Sequence, residues 1–241
     1  MKAIICGANG AMGTLLCNLL KDEVVGKVSI DGANGVPTSF QQLGSVGADI
    51  ILDFSHHTAV SSLLEYAVEH RCAAVIGTTG HTAQERALIA RASEKIPVFF
   101  SGTMSLGIAV LCRLAKQAAA FFPEADIEIV EVHHNRKVDA PSGTAHLLFD
   151  SIAQVRPEAT EHCGRSGEGK RSQNEIGISS LRMGGIVGIH EVHICTPTQA
   201  LTLRHEAFSR EMMAEGAVDA ARFLLGKPVG LYDMNDLVEE R

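Results

Sequence analysis

Short apolar runs at residues 3–6, 49–54, 73–76 and 98–100 alternate with helix-length amphipathic stretches near 12–20, 60–68 and 83–92. A strand that is apolar on both faces must be covered on both, so the pattern specifies a parallel sheet between two layers of helices. Right-handed crossovers of this length close into a doubly wound, Rossmann-like α/β fold. The less apolar segment 27–30 reads as the second strand of that sheet.

Beyond residue 105 the pattern changes. An Ala-rich helix spans 106–122, and segment 127–132 alternates like a strand with one wet face. Residues 155–174 are polar and Gly-rich and read as a mobile loop. Segments 175–178, 179–183, 189–195 and 200–205 read as an antiparallel set, and a last helix at 211–225 returns to the first half. The expected division is therefore residues 1–104 plus 211–241 as a dinucleotide-binding domain. Residues 105–210 form a second, α+β domain with a mixed or antiparallel sheet.

Composition removes several functions. Lys plus Arg number 21 against 28 Asp plus Glu, a formal charge of -7. Nucleic-acid binding needs a cationic face to displace counterions, so it is excluded. Two Tyr and no Trp leave few stacking platforms for bases. The six Cys contain no CxxC pair and read as reduced thiols, and no metal site is expected. Pro and Gly break every uncharged run before it reaches membrane length, and the apolar start turns at Gly7, too early for a signal peptide. A soluble cytoplasmic protein with a small-molecule partner is expected.

Gly7-Ala8-Asn9-Gly10-Ala11-Met12-Gly13 ends the first strand and opens the first helix. Glycines there let the backbone approach a pyrophosphate, and the free N–H groups with the helix dipole attract the anion. The spacing is GxxGxxG, looser than GxGxxG. Asp31, near the end of the next strand, can accept hydrogen bonds from adenine-ribose hydroxyls and would repel a 2′-phosphate. Gly32 offers no cation to offset that charge, so NADH is expected to serve at least as well as NADPH. Gly77, Thr78 and Thr79 follow the 73–76 strand, and Gly102, Thr103, Met104 and Ser105 follow the next one. Both loops lie where a doubly wound sheet binds ligands, although a plain strand-to-helix turn explains them equally well.

The segment from Glu131 to Ala145 carries the most chemistry. His133, His134, Arg136 and Lys137 make a local cationic spot on an acidic chain, suited to a small anion. Ser142, Gly143 and Thr144 open a helix whose free N–H groups could hold a carboxylate. Imidazole is the usual group for proton transfer near neutral pH, and a lysine among cations can act as an acid. A solvated basic loop with a helix cap is the plainer alternative. His56, His57, His190, His193 and His205 are read as structural, and Arg182, Arg204 and Arg210 are left unranked.

The segment from Glu131 to Ala145 resembles the signature of the 4-hydroxy-tetrahydrodipicolinate reductase (dihydrodipicolinate reductase) family. The resemblance extends through Gly7 to Gly13, Leu52-Asp53-Phe54-Ser55, Ile76 to Gly80, Arg182 to Gly188, Arg204 to Arg210 and Leu231 to Met234. It implies that His133 is the proton donor or acceptor and Lys137 the proton donor. It also implies that His134, Gly143 and Thr144 bind substrate carboxylates. Gly7, Ala8, Asn9, Gly10, Ala11, Met12, Asp31, Gly77, Thr78, Thr79 and Gly102 to Ser105 would then hold NADH or NADPH. A homotetramer built through the second domain is implied too. The chain departs from the family at Gly102-Thr103-Met104-Ser105, where relatives usually carry Ala-x-Asn-Phe-Ser, losing an amide and a ring near the nicotinamide. Two other readings stay open: a non-catalytic NAD(H)-binding sensor, and another Rossmann dehydrogenase of a small anionic substrate.

Overall fold

A computed structural model describes residues 1–241, and the chain separates into two compact units, residues 1–106 with 211–241 and residues 107–210. In the first unit, β1 (Ala3–Cys6), β2 (Val24–Val28), β3 (Ile50–Asp53), β4 (Ala73–Ile76), β5 (Pro97–Phe100) and β11 (Gly230–Tyr232) form one sheet. Its order is β2-β1-β3-β4-β5-β11, and all pairings are parallel. The strands are connected through α1 (Ala11–Leu20), α2 (Phe40–Leu43), α3 (Val60–His70) and α4 (Ala83–Ser93). This unit also holds α7 (Glu211–Leu224) and α8 (Met234–Glu239). β1, β3 and β4 are buried at every position, as strands covered on both faces must be.

The chain steps from β1 to β2 on one side and then to β3 on the other. The strand order therefore reverses at β1, which opens a crevice at the carboxyl ends of β1 and β3. Close packing fixes two glycines there. A Cβ on Gly7, whose φ is +81°, would stand 2.4 Å from the Phe54 carbonyl oxygen, and one on Gly13 would stand 2.1 Å from that of Gly7.

The second unit packs α5 (Leu106–Phe121) and α6 (Gly143–Ala153) against a five-stranded sheet. Its order is β10 (Ala200–Ala207), β9 (Gly188–Cys195), β6 (Asp126–His133), β8 (Glu175–Arg182) and β7 (Thr160–Cys163). The sheet is mixed, one of the two expected forms, because β8 runs parallel to β6 while β9 runs antiparallel to it. Residues 175–182 form one strand rather than two. Segment 155–174 contains β7, paired parallel to β8. The second strand of the first unit ends at Val28, so Asp31 lies in the turn beyond it.

Side chains in directly paired positions share a sheet face, which makes the helix-covered face readable row by row. Ile127, Ile176 and Ile194 form one row, and Ile129, Ile178 and Val192 the next. Toward the carboxyl end of β6 the rows turn polar. Glu131 aligns with Ser180, His190 and His205, and His133 aligns with Arg182. An apolar floor thus ends in buried ionisable groups.

Candidate active site

Glu131 is fully buried, and four donors converge on its carboxylate. His133 Nδ1 lies 2.6 Å from Oε2, which also accepts from Arg182 at 2.8 Å. Oε1 accepts from Arg182 at 2.8 Å and from the Ser142 backbone N–H at 3.1 Å. Burial alone would raise the carboxyl pKa, but hydrogen bonds from Arg182 and His133 overcome it and hold the group at about 2. The carboxylate therefore ties β6, β8 and the start of α6 to one point.

His190, opposite Glu131 on β9, is buried and packs its ring edge-to-face on His133, with centroids 5.2 Å apart. Burial, with the charge of His133 adding to it, pushes its pKa down to about 4, so it is neutral at physiological pH. Its Nε2 lies 3.2 Å from the Ser142 hydroxyl, which also caps α6 by accepting from the Ala145 N–H. With the cap satisfying Ala145, the N–H groups of Gly143 and Thr144 are the ones a helix start leaves without intrahelical partners.

His134 is half-buried, and its Nδ1 is buried without a protein partner. Desolvation and the positive charges of Arg136, Arg210, His133 and Lys137 push its pKa down. Lys137 Nζ sits 2.8 Å from each oxygen of Asp139. The cationic segment of the sequence is thus gathered within one unit beside the polar end of the sheet. Arg182, unranked from sequence, is fully engaged on Glu131. Glu131 itself had no role assigned, yet its spacing of two from His133 on a strand, which puts both on one face, was a usable signal.

In the first unit, the turn after β1 is pinned by Gly7 and Ala8 N–H groups donating to Val28 O at 2.8 and 3.2 Å. Asn9 donates to the Asp31 carboxylate at 2.6 Å and to Ala33 O at 3.2 Å, and the Ala33 N–H donates to the same carboxylate oxygen at 3.2 Å. These bonds, Asn9 foremost, pull the Asp31 pKa below its ordinary value and leave an exposed anion at the edge of the glycine turn. Thr78 is buried and its hydroxyl accepts from the Ser55 N–H at 2.9 Å, while Thr79 and Gly102 are exposed. Met104 differs from expectation. The whole residue is 1% exposed, and a Cβ on Gly216 of α7 would meet its carbonyl oxygen at 1.7 Å, so it packs in the core. Ser105 is likewise buried, with its hydroxyl against the Met212 sulfur at 3.8 Å. No group of three or more His, Cys, Asp or Glu is placed to hold a metal ion.

Residues 1–104 match the model for the dihydrodipicolinate reductase N-terminus and residues 107–238 that for its C-terminus. The chain belongs to the dihydrodipicolinate reductase family. A 4-hydroxy-tetrahydrodipicolinate reductase of Caldanaerobacter subterraneus subsp. tengcongensis is 43% identical, over all of this chain and 99% of the relative. One of Clostridium tetani is 40% identical, over 98% of this chain and 96% of its own. Among solved structures, a dipicolinate-bound dihydrodipicolinate reductase from Paenisporosarcina sp. TG-14 superposes with a TM-score of 0.78 at 23% identity, covering 97% of both chains. A Mycobacterium smegmatis amine dehydrogenase shares the fold at a TM-score of 0.60 and 14% identity. Membership in the reductase family makes the chain an oxidoreductase with a Rossmann-like dinucleotide fold. No helix is long and apolar enough to cross a membrane.

Proposed function

We propose that this chain reduces 4-hydroxy-tetrahydrodipicolinate to tetrahydrodipicolinate with NADH or NADPH, the reduction step of the diaminopimelate route to lysine. The observation that carries this reading is the gathering of His133, His134 and Lys137 ahead of the capped start of α6, in a chain that aligns end to end with relatives of that name. The ring hydroxyl departs as water while one hydride and one proton are added, so the balance requires a proton source beside the hydride donor. The nicotinamide, when bound, supplies the hydride.

The first unit is the dinucleotide-binding domain. Gly7, Ala8 and Gly10 shape the turn through their own backbone hydrogen bonds, and Asn9, Ala11 and Met12 present backbone N–H groups at the start of α1 to the pyrophosphate. Asp31 accepts from the adenine-ribose hydroxyls, and its charge favours NADH over NADPH. The loops Gly77 to Thr79 and Gly102 to Ser105 serve the nicotinamide end.

The second unit is the substrate domain. His134 and the N–H groups of Gly143 and Thr144 hold a carboxylate, Lys137 donates a proton, and His133 exchanges one with the substrate. The cationic shell keeps a dianion in place and offsets charge that develops as hydride arrives. The sheet face opposite α5 and α6 builds a homotetramer, and the six free thiols suit the reducing cytoplasm.

Calorimetric titration with dipicolinate, a planar ring dicarboxylate, tests the substrate site. His134→Gln and Lys137→Gln should each weaken binding roughly tenfold, the loss of one charge-assisted contact. Equal affinity in all three proteins would remove the site from these residues.

A further inference from the structure

We propose that Glu131 is a positioning residue that fixes the tautomer of His133, so that Nε2 is the ring atom that exchanges the proton during reduction. The proposal rests on the reading of His133 as the proton-exchanging group. A carboxylate that receives two Arg182 N–H groups and the Ser142 N–H is ionised and can only accept. The Ser180 hydroxyl donates to it as well, and His133 Nδ1, at 2.6 Å from an oxygen that can only accept, must be a donor too. In the neutral imidazole that places the only ring proton on Nδ1 and the lone pair on Nε2.

The surroundings of His133 support the same assignment. Nε2 faces the bare Cα of Gly188 at the start of β9, and a Cβ added there would stand only 3.1 Å from it. The ring of His190 rests edge-to-face against the imidazole and limits its rotation. Arg182 binds Glu131 with both terminal nitrogens and also donates to the Asp139 carbonyl, so the carboxylate cannot swing away from Nδ1. A buried Glu131–Arg182 ion pair serving packing alone needs no histidine on the same oxygen as the arginine. Here that partner is the histidine of the family signature.

The test is a nitrogen-15 spectrum of the histidines in the full-length protein, recorded at rising pH until the neutral ring is observed, with the His133 signal assigned by its loss in His133→Gln. Wild type should show a protonated Nδ1 and an unprotonated Nε2. In Glu131→Gln, Arg182 keeps the amide oxygen and turns the amide N–H2 toward His133. The ring proton should then move to Nε2, and kcat should fall ~100-fold or more, with KM within about threefold, as for a proton-transfer residue in the wrong tautomer. Glu131→Asp, which keeps the anion, should recover part of kcat.

A wild-type His133 protonated on Nε2 would overturn the proposal, as would a folded Glu131→Gln protein with wild-type kcat. If Glu131→Gln fails to fold, the wild-type tautomer alone decides. Failure of the underlying reading looks different: His133→Gln would turn over like wild type whatever the tautomer.

Discussion

The side-chain amide of Asn9, in the glycine turn after β1, lies 2.6 Å from the carboxylate of Asp31 beyond β2. The turn read as a phosphate cradle and the acid read as a ribose ligand are therefore one hydrogen-bonded unit. Asn9 and the Ala33 N–H both donate to the same Asp31 oxygen.

Removing that acid should change which cofactor is held. Asp31→Ala should weaken NADH binding roughly tenfold and leave NADPH binding unchanged or improved, as expected for losing a charge-assisted acceptor and a repulsive charge together. Asn9→Ala should shift the ratio the same way but less. Fluorescence titration of both cofactors checks this, and an unchanged NADH to NADPH ratio in Asp31→Ala would remove Asp31 from the cofactor site.

Gly13 is constrained by space rather than by its φ. A Cβ there would stand 2.6 Å from Ala8 Cα as well as 2.1 Å from Gly7 O, and both are backbone. Gly13→Ala should lower stability by roughly 1–3 kcal/mol through overpacking. That corresponds to a Tm lower by about 2–4 °C per kcal/mol for a chain of this size. Thermal melting followed by circular dichroism reads it directly.

Arg182 neutralises a carboxylate with no exposure to solvent. Arg182→Met should destabilise the protein by about 3 kcal/mol, because the Glu131 charge stays buried without its main partner. The Glu131 pKa of about 2 lies below that of an unfolded glutamate, so its contribution is present above about pH 4.3 and lost as pH falls toward 2. Denaturant melts of wild type and Arg182→Met should therefore converge at the acid end of that window.

His190 gives a second, separate pH signature. Its folded pKa of about 4 lies below that of a free histidine, about 6.5. Between those values the unfolded chain binds a proton that the folded one does not, so stability falls as pH drops through that window. His190→Gln should flatten the slope there by up to about 1.4 kcal/mol per pH unit, and melts at several pH values measure it. An unchanged slope would mean that His190 is not held neutral.

The first unit was the more legible part of the chain. Its buried strands β1 and β4 carry apolar residues at every position, and 73–76 in particular reads without ambiguity between Cys72 and Gly77. The second unit hid more. β7 is exposed at all of its residues and has no alternation to read; in the first unit only β11, a three-residue edge strand that opens on a glycine, was as hard to see. Ser179 and Ser180 interrupt the apolar run of β8, Ser180 where the helix-covered face turns polar beside Glu131 and Ser179 on the opposite face, which makes one strand look like two. The site showed the same split. The cationic run from His133 to Lys137 is contiguous and visible. The contact of Glu131 with Arg182 joins residues 51 apart and depends on a parallel β6–β8 pairing that no local pattern announces. The burial of Met104 under α7 was not legible, since it lies in a loop between two polar neighbours.

The most direct test follows nicotinamide absorbance in purified wild-type and His133→Gln proteins, with substrate made in place by the preceding synthase from pyruvate and aspartate semialdehyde. The account predicts substrate-dependent oxidation of NADH at least as fast as that of NADPH, and a rate at least ~100-fold lower in His133→Gln, the size of effect expected for losing a general acid or base. Wild-type protein that binds NADH but does not oxidise it in the presence of that substrate would contradict it.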